Sequence, residues 1–208
     1  MGRSVTVTGR GRASAPYDVA TLNLAAAARA ANPSDATARA SYAMAAMREA
    51  VVRGGADENT LRTTSVSLSP VHDPWPTVVA YEASLSLSVR ITDLEHVGSM
   101  LVAAVQAGGD GARVDGITFS HADAAALESS AREAAYADAR AKAEQYAGLA
   151  GQALGEVRHV VEAEMGGVAP RRMMAMAAAD AGGGMPVDAG EGTVTAVVTV
   201  TWALGPSV

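Results

Sequence analysis

Serine or threonine alternates with valine, leucine or alanine in six stretches of this chain. The clearest two are Val5-Thr6-Val7-Thr8, near the N-terminus, and residues 193–204, near the C-terminus. A period of two places apolar side chains on one face of a β-strand and hydroxyls on the other. The chain is therefore expected to build a sheet with one buried and one wet face, which constrains its fold more than any other feature.

Capping signals place three helices between these strands. Asn32-Pro33 starts the first helix, because Asn is a favoured N-cap and Pro is favoured at the first helical position. That helix is expected to end at Gly54-Gly55. Thr92-Asp93-Leu94-Glu95 has the spacing of a capping box and predicts the start of the second helix. Asp123 caps a long third helix, expected over about 124–150.

The strands and helices together predict an α+β fold. We expect a largely antiparallel sheet of about seven strands with three helices packed on one face, either as one unit or as two sub-lobes. The first strand is expected over about 4–9. Two strand–helix–strand units, one before residue 70 and one over 80–120, have the pattern of an internal βαβ duplication. Residues 1–208 are expected to form a single domain, with a flexible Gly/Ala/Met-rich loop at 165–190.

The composition limits the function classes. Hydrophobic residues make up 49% of the chain but aromatics only 4%, so the core must depend on Val, Leu and Ala. A net charge of −6 argues against a general nucleic-acid binder. The absence of cysteine excludes disulfides and thiolate chemistry. No stretch reaches the roughly 18 apolar residues that a membrane span needs.

The start of the sequence predicts a cytoplasmic protein. Met1-Gly2-Arg3-Ser4 runs directly into the first strand, without the charged region, apolar stretch and cleavage site of a secretory signal. We therefore expect the protein in the cytoplasm. A periplasmic or secreted location is the alternative if a leader has been removed.

No set of residues has the arrangement that catalysis or cofactor binding needs. Gly9-Arg10-Gly11 lacks a third glycine and precedes a strand, so it does not predict a dinucleotide site. The chain has four histidines, His72, His96, His121 and His159. No two of them have the i, i+4 spacing of a helical zinc site, and no serine lies in a Gly-x-Ser-x-Gly elbow. We expect no enzyme activity, no cofactor and no metal site.

A Met-rich segment beside two arginines is the one unusual composition. Its members are Arg171, Arg172, Met173, Met174 and Met176, with Met165 and Met185 nearby. Thioethers are soft ligands that could hold copper(I), and flexible Met side chains also dock well against another surface. The docking interpretation is favoured, so these five residues form a candidate interaction loop. The three methionines at 173, 174 and 176 are secondary candidates for a soft metal.

The hydroxyl faces of the strands allow several interpretations. Stacked Ser and Thr rows could contact a ligand, a glycan or a second sheet. More often such rows form a wet sheet face stabilised by cross-strand Thr and Ser pairs. We favour a wet or oligomer-facing sheet.

Several blocks of the sequence together resemble the SIMPL-domain family. They are residues 5–11, 15–20, 61–70, 116–119 and 138–144, and the segment at 172–176 and the terminal strand fit as well. The resemblance covers nearly the whole chain and is specific through the order and spacing of the blocks. That family includes bacterial periplasmic immunogenic proteins, proteins called oxidative stress defence proteins, and an animal adaptor that associates with a signalling kinase.

The resemblance implies an α+β fold and, in bacterial members, ring- or channel-like homo-oligomers. It supplies no established catalytic residues. We therefore expect a non-enzymatic, self-assembling scaffold or interaction protein, linked to stress, that binds further copies of itself and an unidentified protein partner. The alternative is a protein that binds a small ligand or a soft metal through the Met-rich loop.

Overall fold

The computed structural model describes residues 2–163, 185 and 187–207. This part of the chain contains seven strands and three helices. In chain order they are β1 Ser4–Pro16, β2 Val19–Ala30, α1 Pro33–Arg53, β3 Leu61–His72, β4 Val78–Ile91, α2 Val97–Gly108, β5 Ala112–Ser120, α3 Ala124–Leu149, β6 Gln152–Glu162 and β7 Glu191–Ser207. The predicted α+β class is confirmed.

The seven strands divide between two antiparallel sheets in two compact units. One unit holds the three-stranded sheet β1-β7-β6 and helix α3. The other holds the four-stranded sheet β3-β4-β2-β5 and helices α1 and α2. The sequence pattern predicts the number of strands but not this division, because a period of two does not specify which strands pair.

The four-stranded unit has the order β-α-β-β-α-β. Strands β2 and β4 form its centre, and β3 and β5 form its edges. The segments β2–α1–β3 and β4–α2–β5 are the two strand–helix–strand units that the sequence predicts, arranged as split βαβ units. The core of this unit includes Leu22, Leu24, Met47, Val51 and Met100.

In the three-stranded unit, α3 lies directly on β1. Buried alanines recur every four residues along the helix, at Ala131, Ala135, Ala139, Ala143 and Ala147. Facing them are Gly9 and Gly11, where an added Cβ would lie 2.0 Å from the carbonyl oxygens of Ala135 and Ala131 respectively. The helix approaches this closely only because neither surface carries a large side chain. The role of Gly9-Arg10-Gly11 is therefore one of packing.

The first strand is longer than the sequence predicts. It does not end at Gly9 but continues to Pro16. The reason is its partner: β7 pairs with β1 in unbroken antiparallel register, from Ser4 opposite Ala203 to Pro16 opposite Glu191. The backbone hydrogen bonds to β7 hold the glycines in the sheet, although glycine weakens a strand by its own preference.

The helix caps are confirmed at two of three positions. The side chains of Asn32 and Asp123 accept hydrogen bonds from backbone N–H groups in the first turns of α1 and α3. The prediction that a capping box at Thr92 starts the second helix is wrong. A short 3₁₀ turn, Leu94–His96, occupies that position, and α2 begins only at Val97.

Candidate interaction surfaces

The described part of the chain shows no metal-binding cluster. Within residues 2–163, 185 and 187–207, no group of three or more His, Asp or Glu side chains could hold a metal ion. His96 Nδ1 lies 2.8 Å from an Asp93 carboxylate oxygen. The His72 ring lies against the ring of Trp75, with the centroids 4.4 Å apart. The exposed faces and edges of the two sheets are the candidate functional surfaces.

The interaction loop predicted from the sequence lies outside the described residues. It comprises Arg171, Arg172, Met173, Met174 and Met176. Met185, in the same Met-rich region, is described, and its carbonyl oxygen lies 2.3 Å from where a Cβ on Gly98 of α2 would be. A docking role for the loop, and a soft-metal role for its methionines, remain predictions.

Helix α3 covers part of the outer edge of β1. The Asp138 carboxylate accepts hydrogen bonds from the backbone N–H of Arg10, at 2.8 Å, and from the Lys142 ammonium, at 2.6 Å. Lys142 also donates to the carbonyl oxygen of Thr8, at 3.1 Å. The bonds from Lys142 and Arg10 lower the pKa of Asp138 below its ordinary value. An edge strand that could pair with another chain is thus partly occupied by side chains.

On the helix-free face of the three-stranded sheet, hydroxyl groups of β1 form hydrogen bonds with hydroxyl groups of β7. Thr6 and Thr201 hydroxyls lie 2.9 Å apart, and Thr8 and Thr199 hydroxyls lie 3.0 Å apart. A third pair, Ser14 with Thr193, lies at 2.8 Å. These contacts join β1 to β7 toward both ends of their pairing. The wet face predicted from the alternation is stabilised here by cross-strand hydroxyl pairs.

The helix-free face of the four-stranded sheet carries serine hydroxyls that are not hydrogen-bonded to one another. Ser65 lies opposite Ser86, and Ser67 lies opposite Ser84, on strands β3 and β4. Within the described residues, none of these four hydroxyls has a hydrogen-bond partner. They remain available to solvent or to a ligand. We name this surface, comprising Ser65, Ser67, Ser84, Ser86, Ala25 and Ala27, the serine platform.

The other face of β3 exposes apolar side chains. Val66 and Leu68 alternate with the serines and lie opposite Leu85 and Ala83, on the helix side of the sheet. Their exposed fractions are nevertheless 68% and 49%. Between the register irregularity at 63–65 and Pro70, β3 carries no charged side chain. Exposed apolar surface on an edge strand is a candidate contact site for another protein segment.

Two further apolar surfaces are exposed in the described residues. At the turn between β3 and β4, the Trp75 side chain is 77% exposed, with Val78 and Val79 beside it on β4. On β6, an edge strand of the other sheet, Val160 and Val161 are also exposed. Both sheets therefore offer an apolar edge.

The fold defines the class of protein: an α+β protein of two compact units, each with an antiparallel sheet. Its family follows from comparison with known proteins. The chain belongs to the SIMPL family, described as a protein of unknown function (DUF541), whose model matches residues 5–202.

Two curated relatives are similar to the chain over most of its length. Each is named 26 kDa periplasmic immunogenic protein, one from Brucella melitensis biotype 1 and one from Brucella abortus (strain S19). Each is 28% identical over 216 residues, covering 96% of this chain and 84% of the relative.

The names of these relatives correct one prediction. Both are called periplasmic, which overturns the expectation of a cytoplasmic protein. That expectation depended on a few residues at the start of the sequence, which carry too little information to decide on export. Separately, no helix in the described residues has the length and apolar character that crossing a membrane requires.

Proposed function

We propose that this protein is a non-enzymatic periplasmic scaffold that assembles with copies of itself into a ring-like homo-oligomer. The observation that carries the proposal is the uncovered apolar side of β3, at Val66 and Leu68. A stress-linked role and an unidentified protein partner are further expectations from the family resemblance. The periplasmic location comes from the names of the relatives.

Two different apolar edges favour a ring over a simple dimer. Strand β3 lies at the edge of one sheet and β6 at the edge of the other. Pairing β3 of one copy with β6 of the next is a head-to-tail contact, and such contacts generate rings when the rotation closes. Added strands would satisfy the backbone groups of both edges and bury their valines. A core poor in aromatics gains from the additional buried surface.

The experiment is size-exclusion chromatography with light scattering at micromolar protein concentration. We expect an oligomer for the unchanged chain and a monomer for Leu68→Asp, because a carboxylate at this position would have to be desolvated in the interface. Ser67→Asp is the matched control, since it adds the same charge to the same strand on the opposite face. Its mass should equal that of the unchanged chain.

Three results would contradict the assembly proposal. They are a strict monomer for the unchanged chain, an oligomer that survives both Leu68→Asp and Val160→Asp, and equal dissociation by the Ser67→Asp control. Circular dichroism of each variant verifies that the chain is folded before its mass is interpreted.

A further inference from the structure

We propose that the helix-free face of the four-stranded sheet binds an acidic polysaccharide. This binding is independent of the assembly proposed above, because it uses the face of the sheet opposite to Val66 and Leu68. The inference depends on the charge of this face, on its unpartnered hydroxyls and on its lack of aromatic side chains.

All four arginines of strands β2–β5 lie on this one face. Arg62 is opposite Ser88, Arg90 is opposite Thr21, and Arg113 is opposite Ala25. The fourth, Arg29, forms an ion pair with Glu82. The only other acidic residue in these strands is Asp115, beside the register irregularity of β5. In a chain with a net charge of −6, this concentration of guanidinium groups favours an anionic partner.

Two of these guanidiniums have no partner among the described residues. Arg62 and Arg90 make no side-chain hydrogen bond or ion pair there, and both are exposed. Arg113 is partly occupied, since its Nη1 donates to the carbonyl oxygens of Asp110 and Ala112. Positive charge without an ion pair in the described part of the chain therefore borders the serine platform at one end, where Arg62 and Arg90 lie, whereas Arg29 at the other end is paired with Glu82.

The serine platform supplies hydroxyls at short, regular spacing. Directly opposite residues in an antiparallel pair have Cβ atoms about 5 Å apart, and the other sheet shows that hydroxyls at this spacing can bond to each other. The serines at 65, 67, 84 and 86 do not. Each hydroxyl can both donate and accept a hydrogen bond. On β2, Ala27 lies opposite Ser84 and the buried Ala25 lies opposite Ser86, so no large side chain of β2 stands directly beside these two serines.

A polysaccharide fits this surface better than a nucleic acid or a protein. The two aromatic residues of these strands, Tyr81 and Phe119, lie on the helix side of the sheet, opposite Ala30 and Ala20. Single-stranded nucleic acids are held by stacking on aromatic side chains, and protein interfaces depend on aromatic anchors. Guanidiniums match carboxylates, and serine hydroxyls match sugar hydroxyls. An acidic polysaccharide offers both groups on one chain.

The length of the platform suits an extended polymer. From Arg62 to Ser69 the strand runs seven residues, or about 23 Å at the usual rise per residue. A chain of several sugar rings would cover this distance. Its carboxylates would meet the Arg62 and Arg90 guanidiniums at one end, while its hydroxyls would meet the serines along the strands.

The test uses the full chain and oligogalacturonate of defined length, measured by isothermal titration calorimetry. Neutral maltooligosaccharide of equal length is the control ligand. We expect binding of the acidic oligomer only, weakened by salt because exposed charges are screened. The Arg62→Gln/Arg90→Gln variant should bind about tenfold or more weakly, since it loses charge-assisted hydrogen bonds. Ser84→Ala/Ser86→Ala should weaken binding by a smaller factor.

The chain offers a matched control for the loss of charge. Arg10→Gln/Arg12→Gln removes two guanidiniums from the helix-free face of the other sheet, where the threonines are already paired. The affinity of this variant for oligogalacturonate should equal that of the unchanged chain. The proposal is overturned by absence of binding to oligogalacturonate, by equal loss in both arginine variants, or by equal affinity for single-stranded DNA of the same length. A change in oligomer mass caused by Arg62→Gln/Arg90→Gln would also overturn it, because the face would then be an interface between copies. Leu68→Asp should keep its affinity whether or not the assembly proposal holds.

Discussion

In both units helices pack on a sheet, but the distance between helix and sheet is set by different groups. In the three-stranded unit, α3 contacts β1 through backbone atoms, because Gly9 and Gly11 face the alanine row of the helix. In the four-stranded unit, α1 and α2 reach the sheet through bulky side chains such as Met47 and Leu24. The contact between α3 and β1 has no room for an added atom. The core of the four-stranded unit, by contrast, loses stability when side-chain atoms are removed. One chain therefore contains two cores with opposite sensitivities.

The largest effect should come from adding one methyl group to the closer contact. In Gly11→Ala the new Cβ would lie 2.0 Å from the Ala131 carbonyl oxygen and 2.3 Å from the Ala135 N, both backbone atoms that cannot rotate away. We expect a loss of about 3 kcal/mol or more in the free energy of unfolding, the upper end of the cost of overpacking. Thermal unfolding followed by circular dichroism measures it.

A glycine in the same unit provides the control. A Cβ at Gly148 would meet nothing within 4 Å, and the residue lies inside α3. Gly148→Ala should therefore stabilise the unit by up to about 1 kcal/mol, through helix propensity. If Gly11→Ala unfolds at the same temperature as the unchanged chain, the close backbone contact does not hold this unit together.

The edge of β1 also differs from the open edges, because the Asp138 carboxylate of α3 bonds to it. The stability of the three-stranded unit should therefore depend on pH. The pKa of Asp138 is lowered in the folded state, so its stabilising contribution is complete above the ordinary pKa of the unfolded chain. It is lost as the pH falls below about 4 and through the lower folded pKa. Asp138→Asn should reduce the difference in melting temperature between pH 7 and pH 3. This effect should be smaller than that of Gly11→Ala.

Lys142→Met tests the cause of that dependence. It removes the strongest of the groups that lower the pKa of Asp138, while the N–H of Arg10 remains. The pH dependence should lie between those of the unchanged chain and Asp138→Asn. Identical pH curves for all three chains would show that this edge contact does not contribute.

The smallest expected effect separates the two hydroxyl faces. Thr8 and Thr199 are hydrogen-bonded at 3.0 Å, so a double-mutant cycle with Thr8→Val and Thr199→Val should give a coupling of about 0.5 kcal/mol. The cycle with Ser67→Ala and Ser84→Ala should give a coupling within about 0.3 kcal/mol of zero. Urea unfolding measures both. Equal coupling in the two sheets would remove the difference on which the polysaccharide proposal depends.

Much of the fold could be predicted from local signals. The caps at Asn32 and Asp123 lie within a few residues of the helices they start, so the sequence contains the whole interaction. The partner of β1 could not be predicted in this way, because β7 lies about 190 residues away and the alternation specifies a face but not a neighbour. For the same reason the sequence did not predict that β1 continues past Gly9.

The candidate surfaces were only partly predictable. The Ser/Thr alternation does predict hydroxyl faces, but it cannot distinguish the paired Thr6 and Thr201 from the unpaired serines of the platform. Nor does it show that Val66 and Leu68 stay exposed, since a buried and an uncovered apolar row have the same period. That all four arginines of the β2–β5 sheet share one face follows from the register of three strand pairs, which no single strand contains.

The pairing of β1 with β7 also has a consequence for synthesis. Strands β2–β5 lie within residues 19–120, so their sheet can form once that stretch has left the ribosome. By contrast, Thr8 must wait for a partner 191 residues later in the chain. Contacts of such separation form slowly, and the unpaired strand is prone to aggregation in the meantime. The chain therefore passes through a stage in which the β2–β5 sheet has formed while β1 still lacks its partner and needs protection from aggregation.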